Sequence, residues 1–104
     1  MLEHGETIHE GLVRGVFEET GLEVKPVSLT GVYQNMPRKV VALVFRCRLV
    51  SGELCPNDEA TAFRWVSASE VPGLLDEAYA VRVLDALRYD RTASVRAHDG
   101  VSLI

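Results

Sequence analysis

Two adjacent glutamates, Glu18 and Glu19, end an amphipathic stretch near the start of the chain, and a carboxylate at Glu6 and a cation at Arg14 precede them. Carboxylates grouped in this way suit a hard divalent cation such as Mg²⁺, which takes oxygen ligands together with substrate phosphates. Adjacent glutamates near a helix end can also be ordinary solvated charges. The pair is badly placed for the helix dipole, which disfavours anions at a helix C-terminus.

The residues around the acidic pair predict the helix that carries it. Thr7 followed three residues later by Glu10 forms a capping box, which satisfies free N–H groups at a helix start. Apolar residues recur at helical spacing after it. Gly21 follows the acidic pair and suits a left-handed C-terminal cap. We therefore expect the first helix to run from about Ile8 to Thr20.

The stretch from Gly5 to Leu22 resembles the box of the Nudix hydrolase (MutT-like) family. That box reads Gly, five residues, Glu, seven residues, Arg-Glu-apolar, one residue, Glu-Glu, one residue, Gly-apolar. The matching positions here are Glu6, Arg14, Val16, Glu18, Glu19, Gly21 and Leu22. A long, spaced pattern is far more specific than a short motif. The resemblance covers roughly Leu2 to Arg88 and favours metal binding by the acidic pair over solvated charge.

The resemblance implies a role for each matching residue. The implied site consists of Glu18 and Glu19 as catalytic residues and ligands of Mg²⁺ or Mn²⁺, with Glu6, Arg14 and Gly21 as structural support. In the family the matching arginine pairs with the box glutamate and braces the loop, which here means Arg14 with Glu6. Family members often place an extra glutamate later in the chain, and Glu59 is our candidate for that catalytic acid or base.

Two box positions depart from the family pattern. Gly15 stands where the family has a glutamate directly after the arginine, and the first box glycine would lie before Met1. In the family that glutamate commonly binds metal or acts as a base. Because residues 15, 18 and 19 share a helix face, Gly15 leaves a cluster of two carboxylates instead of three. An active enzyme and an impaired one therefore both stay open.

The rest of the chain predicts strands followed by a helix. The predicted elements are a strand over Val24–Tyr33 interrupted by Pro26, a strand over Lys39–Val50, a short strand over Thr61–Val66, a helix start at Ser67, a helix over Ala78–Arg88, and a short strand late in the tail. On the last helix we expect Ala80, Val83, Leu84 and Leu87 to face inward. Trp65 is expected in the core. The fold class is α/β (α+β), and the resemblance implies a mixed sheet sandwiched between helices.

We expect a single Nudix-like domain over residues 1–104, with the box at about 5–22 and a tail at about 89–104. The strands that usually precede the box in the family are missing from the sequence, so we expect either that it begins inside a longer protein or that the fold is N-terminally truncated. An exposed sheet edge invites pairing with another chain. On that ground we predict a homodimer or strand exchange.

Composition excludes several classes. The length of 104 residues allows one core. The formal net charge of −4 argues against binding to a nucleic-acid polymer, which calls for a basic surface. The sequence has no run of about 18 apolar residues, so it does not indicate a membrane span. The two cysteines make no disulfide framework, which favours a reducing cytoplasm.

The leading hypothesis is a metal-dependent hydrolase of a nucleoside diphosphate linked to another group, with a small-molecule substrate. The alternative is a Nudix-fold nucleotide-binding or regulatory protein that has lost hydrolysis. A third hypothesis is an α/β interaction module whose helix only mimics the box. Gly15 discriminates between the first two, and divalent-metal binding tests the third.

Overall fold

The computed structural model describes residues 2–58, 62–88 and 92–104. In chain order its elements are α1 (Ile8–Thr20), β1 (Leu22–Asn35), β2 (Val40–Gly52), a 3₁₀ turn (Ala68–Glu70), α2 (Val71–Leu74), α3 (Glu77–Ala86) and β3 (Ser94–His98). The three strands form one sheet in the order β2-β1-β3. In the described part of the chain, every helix is too short or too polar to span a bilayer.

Helix α1 begins and ends where local sequence signals require. The Thr7 hydroxyl accepts a hydrogen bond from Glu10 N at 3.1 Å, and the Glu10 carboxylate accepts one from Thr7 N at 3.0 Å. At the other end Gly21 is left-handed, with φ 79°, and its N–H donates to Phe17 O at 2.8 Å. The predicted bounds, the capping box and the glycine cap are all confirmed.

The sheet is mixed, as the fold-class prediction required. Strand β3 runs parallel to β1, with Gly31 opposite Ser94 and Asn35 opposite His98. Strands β1 and β2 are joined by a short turn and run antiparallel. Three contacts record this direction, since they join Thr30 to Val44, Ser28 to Arg46 and Glu23 to Ser51.

Three predictions about the strands were wrong. Strand β1 continues through Pro26 without interruption. Because β3 pairs with residues 31–35 of β1, Pro26 lies where one side of β1 has no partner strand in the described part of the chain, a position at which strands accept proline. Residues 62–66 form no strand, and Thr61 lies outside the described residues. Trp65 is 75% exposed rather than part of a core.

The described residues group into two compact units, and β1 and β2 contribute to both. The N-terminal unit is Met1–Val27 with Cys47–Trp65, and the C-terminal unit is Ser28–Arg46 with Val66–Ile104. None of the residues of α1, all of them described, is buried. Among the described residues, the buried ones lie in the C-terminal unit and are Thr30, Gly31, Tyr33, Asn35, Val71, Ala78, Ala80, Asp85 and His98.

The inward face predicted for α3 was only partly right. Ala80 is buried, but Val83, Leu84 and Leu87 are 37%, 39% and 54% exposed. The helix instead buries Ala78 and Asp85. Periodicity placed the long aliphatic side chains inward, whereas the buried residues of α3 are two alanines and an aspartate.

Burial of the Asp85 carboxylate is possible because it is saturated with donors. Arg96 binds it through Nε and Nη2, each at 2.7 Å, and the Tyr33 hydroxyl donates to it at 2.7 Å. These hydrogen bonds, that from Arg96 first, hold the pKa of Asp85 below its ordinary value. Burial and the bond to Asp85 raise the pKa of Tyr33.

Gly31 lets the Tyr33 ring take the position that this bond requires. A Cβ built on Gly31 would collide with the hydroxyl and ring atoms of Tyr33. The ring of Tyr33 therefore lies across the strand, over the glycine two residues before it. A side chain at position 31 would displace Tyr33 from Asp85.

Candidate metal-binding site

The residues of the box come together through Arg14. Its Nε donates to Glu6 Oε2 at 2.7 Å, and its Nη2 donates to Glu6 Oε1 at 3.1 Å. Glu6 also accepts a hydrogen bond from Glu3 N at 2.9 Å. The hydrogen bond from Arg14, followed by that from Glu3 N, lowers the pKa of Glu6. A two-pronged guanidinium–carboxylate pair fixes orientation as well as distance, so it ties α1 to the loop before it.

Arg14 also reaches the acidic end of the helix. Its Nη1 donates to Glu18 Oε2 at 3.0 Å, one helical turn further on. The Glu18 side chain is 60% exposed, so this carboxylate keeps lone pairs that face solvent. Arg14 thus connects Glu6 to one member of the acidic pair.

Glu19 is the less occupied member of the pair. It is exposed, and among the described residues its carboxylate makes no hydrogen bond or ion pair. A Cβ built on Gly15 would meet nothing within 4 Å, so the face that residues 15, 18 and 19 share is open at its third position. The helix presents two carboxylates and the space for one more.

The donor set of this face fits a magnesium-type ion. Magnesium is commonly held by one or two carboxylates while it keeps waters and takes substrate phosphates. Within residues 2–58, 62–88 and 92–104, no three His, Cys, Asp or Glu side chains are grouped closely enough to hold a metal ion. Glu18 and Glu19 therefore match the number of carboxylates that such an ion commonly takes from a protein.

Gly21 lies where α1 meets the loop after β2. A Cβ built on Gly21 would be 2.5 Å from Glu53 O and 2.9 Å from the Cβ of Cys55. The N–H of Cys55 donates to Thr20 O at 2.8 Å. Glycine is required here both by the left-handed backbone and by the close approach of residues 53–55.

Asn57 is a residue of this helix end that the sequence did not predict. Its side-chain Nδ2 donates to Glu19 O at 2.8 Å and, more weakly, to Glu18 O at 3.4 Å. The segment around it reads as a turn, and nothing in its composition identifies the helix that it would contact. One indirect signal exists: the last turn of α1 has no basic residue, so the donors for its end must come from elsewhere.

Glu59, the predicted extra catalytic residue, lies outside the described residues. Its role stays a prediction. Placement of the other five predicted site residues is as follows: Glu6, Arg14 and Glu18 are joined by hydrogen bonds, Glu19 is the next residue on the same helix end, and Gly21 caps that end.

Comparison with known proteins assigns the family. The model of the family described as NUDIX domain matches residues 1–87. A MutT-like protein of Streptomyces ambofaciens is 46% identical over 104 residues, which is 100% of this chain and 67% of that protein. An ADP-ribose pyrophosphatase of Methanocaldococcus jannaschii is 38% identical over 77 residues, covering 70% of this chain and 46% of that protein. The chain belongs to the NUDIX domain family.

Similarity to a solved structure confirms the fold. The crystal structure of an ADP-ribose pyrophosphatase from Streptococcus suis 89-1591 superposes with a TM-score of 0.71 and 21% sequence identity. The match covers 90% of this chain and 75% of that one. The chain thus shares the architecture of that protein, while it spans less than half of the Methanocaldococcus relative.

Proposed function

We propose that this protein is a metal-dependent hydrolase of nucleoside diphosphate-linked compounds, with Glu18 and Glu19 holding Mg²⁺ or Mn²⁺. The observation that carries the proposal is the arrangement on α1. Arg14 joins the loop glutamate Glu6 to Glu18, and Glu19 beside it keeps a carboxylate with no partner in the described part of the chain. Membership of the NUDIX domain family supports the same chemistry.

The reaction adds water across a phosphorus–oxygen anhydride bond and gives a nucleoside phosphate and a phosphorylated remainder. A bound divalent cation supplies charge neutralisation at the diphosphate and a more acidic water. Glu18, whose carboxylate is held by Arg14, would bind this cation. Glu19 is available to accept a proton, because no cation of the described residues engages its carboxylate.

The substrate class follows from the relatives. Two of the similar proteins are named ADP-ribose pyrophosphatases, so ADP-ribose is the first substrate to test. The net charge of −4 opposes a diphosphate, and a bound cation offsets that repulsion locally. Glu59 remains the proposed additional acid or base. The homodimer also stays a prediction, which light scattering tests.

Gly15 favours a second candidate function. The open third position removes a carboxylate from the face that binds the cation. A site with two carboxylates could bind a nucleotide together with a metal ion and hydrolyse it slowly or not at all. A Nudix-fold nucleotide-binding or regulatory protein is therefore the alternative.

A hydrolysis assay tests the leading proposal. ADP-ribose is incubated with the protein and Mg²⁺ or Mn²⁺, and release of AMP is followed for the wild type, Glu19→Gln and Glu23→Gln. Glu23 accepts a hydrogen bond from Ser51 on the neighbouring strand and makes a matched control outside the acidic pair. We expect Glu19→Gln to lower the rate roughly a hundredfold, as for loss of a catalytic proton acceptor, and Glu23→Gln to leave it unchanged. Undiminished activity of Glu19→Gln would remove the acidic pair from the mechanism.

A further inference from the structure

The C-terminal end of α1 is closed by a segment from a distant part of the chain. The last four carbonyls of an α-helix have no partner within the helix. In α1 the carbonyl of Phe17 accepts from Gly21 N, and that of Thr20 accepts from Cys55 N, each at 2.8 Å. The two carbonyls between them belong to Glu18 and Glu19.

Both of these carbonyls are satisfied by one side chain. Asn57 Nδ2 lies 2.8 Å from Glu19 O and 3.4 Å from Glu18 O. With these bonds all four terminal carbonyls of α1 have donors, and three of the four are satisfied by residues 55–57. The backbone of the acidic pair is therefore held from outside the helix.

A neutral donor has a specific advantage at this position. Basic side chains often cap helix C-termini, since they bond the last carbonyls and suit the dipole. A lysine or arginine here would also pair with the carboxylates of Glu18 and Glu19 and compete with a metal ion. The amide of Asn57 supplies hydrogen-bond donors without a positive charge. It stabilises the helix end without adding a cation beside Glu19 or a second one beside Glu18, which already binds Arg14.

We propose that Asn57 is a positioning residue that holds Glu18 and Glu19 in the orientation needed to bind a divalent cation. This inference rests on the proposed function, because it assumes that the acidic pair binds a cation. Without the amide, the last turn of α1 loses its donors to two adjacent carbonyls and frays. The two carboxylates then bind a cation only after they have been ordered, which weakens the affinity.

Metal affinity, measured apart from activity, tests the role of Asn57. Binding of Mn²⁺ is measured by isothermal titration calorimetry on the wild type, Asn57→Ala and Cys55→Ala, at a temperature where circular dichroism shows that all three are folded. Cys55→Ala alters the same loop but keeps the backbone bond to Thr20 O, so it is the matched control. We expect Asn57→Ala to bind Mn²⁺ roughly tenfold more weakly, as for loss of groups that orient metal ligands. Cys55→Ala should bind like the wild type.

A purely structural role predicts a different pattern. It would lower the thermal stability of Asn57→Ala but leave the Mn²⁺ affinity of the folded protein unchanged, and that result would overturn the inference. If Asn57→Ala does not fold, Asn57→Ser, which shortens the donor, takes its place in the same comparison. A Glu19→Gln arm separates the two proposals. Equal Mn²⁺ affinity in the wild type and Glu19→Gln would contradict the proposed metal site itself, whereas weaker binding by Glu19→Gln with undiminished binding by Asn57→Ala would refute only the positioning role.

Discussion

Asp85 in the C-terminal unit and the acidic pair in the N-terminal unit show two opposite uses of a carboxylate. The Asp85 side chain is 4% exposed and accepts three hydrogen bonds, two from Arg96 and one from Tyr33. Glu18 is 60% exposed and has one bonded cation, while Glu19 has none among the described residues. The Asp85 carboxylate has its hydrogen-bonding capacity used by protein donors, whereas those of Glu18 and Glu19 keep lone pairs without a protein donor in the described part of the chain.

The difference lies in what each carboxylate contributes to stability. A buried carboxylate without donors would be very unfavourable, so the partners of Asp85 stabilise the folded state. Anions at the end of α1 are instead unfavourable for the helix and contribute nothing to a core. We infer that the polar core of the C-terminal unit stabilises the fold. The acidic pair of the N-terminal unit is unfavourable for its helix, and we attribute its presence to the proposed binding of a cation.

The largest effect on stability should come from removing Asp85. Asp85→Ala leaves the Arg96 guanidinium without its partner and the Tyr33 hydroxyl without an acceptor. We expect a loss of about 3 kcal/mol in the free energy of unfolding, typical of a broken buried ion pair. Urea denaturation measures it, with Glu19→Ala as the control in the N-terminal unit, which should unfold at the same or a slightly higher urea concentration. Equal losses in the two variants would contradict the comparison.

Acid dependence gives the same experiment a second readout. The pKa of an unfolded aspartate is about 3.9, and the pKa of Asp85 in the folded protein is lower. Its contribution to stability is therefore complete above the unfolded pKa and is lost as the pH falls through the folded pKa. The wild type should lose stability below about pH 4 more steeply than Asp85→Asn.

Two glycine-to-alanine substitutions sharpen the comparison with a smaller effect and opposite signs. A methyl group at Gly31 would collide with the Tyr33 ring, so Gly31→Ala should destabilise the protein by about 2 kcal/mol, as for an overpacked site. At Gly15 the space is open and the backbone is helical, so Gly15→Ala should stabilise it by about 1 kcal/mol. Thermal unfolding monitored by circular dichroism tests both. Stabilisation by Gly31→Ala would show that Tyr33 does not need the glycine.

Sequence reasoning succeeded where the causes are local. The bounds of α1 follow from Thr7, Glu10 and Gly21, which all act within one turn of the helix end that they define. The family resemblance likewise paired Arg14 with Glu6, and the structure joins the two, whereas the contact of Arg14 with Glu18, one helical turn further on, was not predicted. Within a helix, separations of three and four residues determine which side chains are neighbours.

It failed where the cause lies far along the chain. Burial of Asp85 depends on Tyr33 in β1 and on Arg96 in β3, both distant from Asp85 along the chain or in another element. The sequence of the tail gives only a weak signal for β3. Helical periodicity therefore predicted that the aliphatic residues of α3, not Asp85, face inward. Asn57 was missed for the same reason, since its contact with α1 spans 38 residues of sequence.

The most direct test of the central claim is Mn²⁺ binding to Gly15→Glu, measured by calorimetry beside the wild type and Gly15→Gln. Both substitutions replace a helix-breaking glycine by a residue of similar size and helix propensity, so they differ only in the charge added beside Glu18 and Glu19. If this face of α1 is a cation site with an open third position, Gly15→Glu should bind Mn²⁺ at least about tenfold more tightly than Gly15→Gln, because affinity rises with the number of charged ligands. Equal affinities, or no uptake by any of the three proteins, would contradict it.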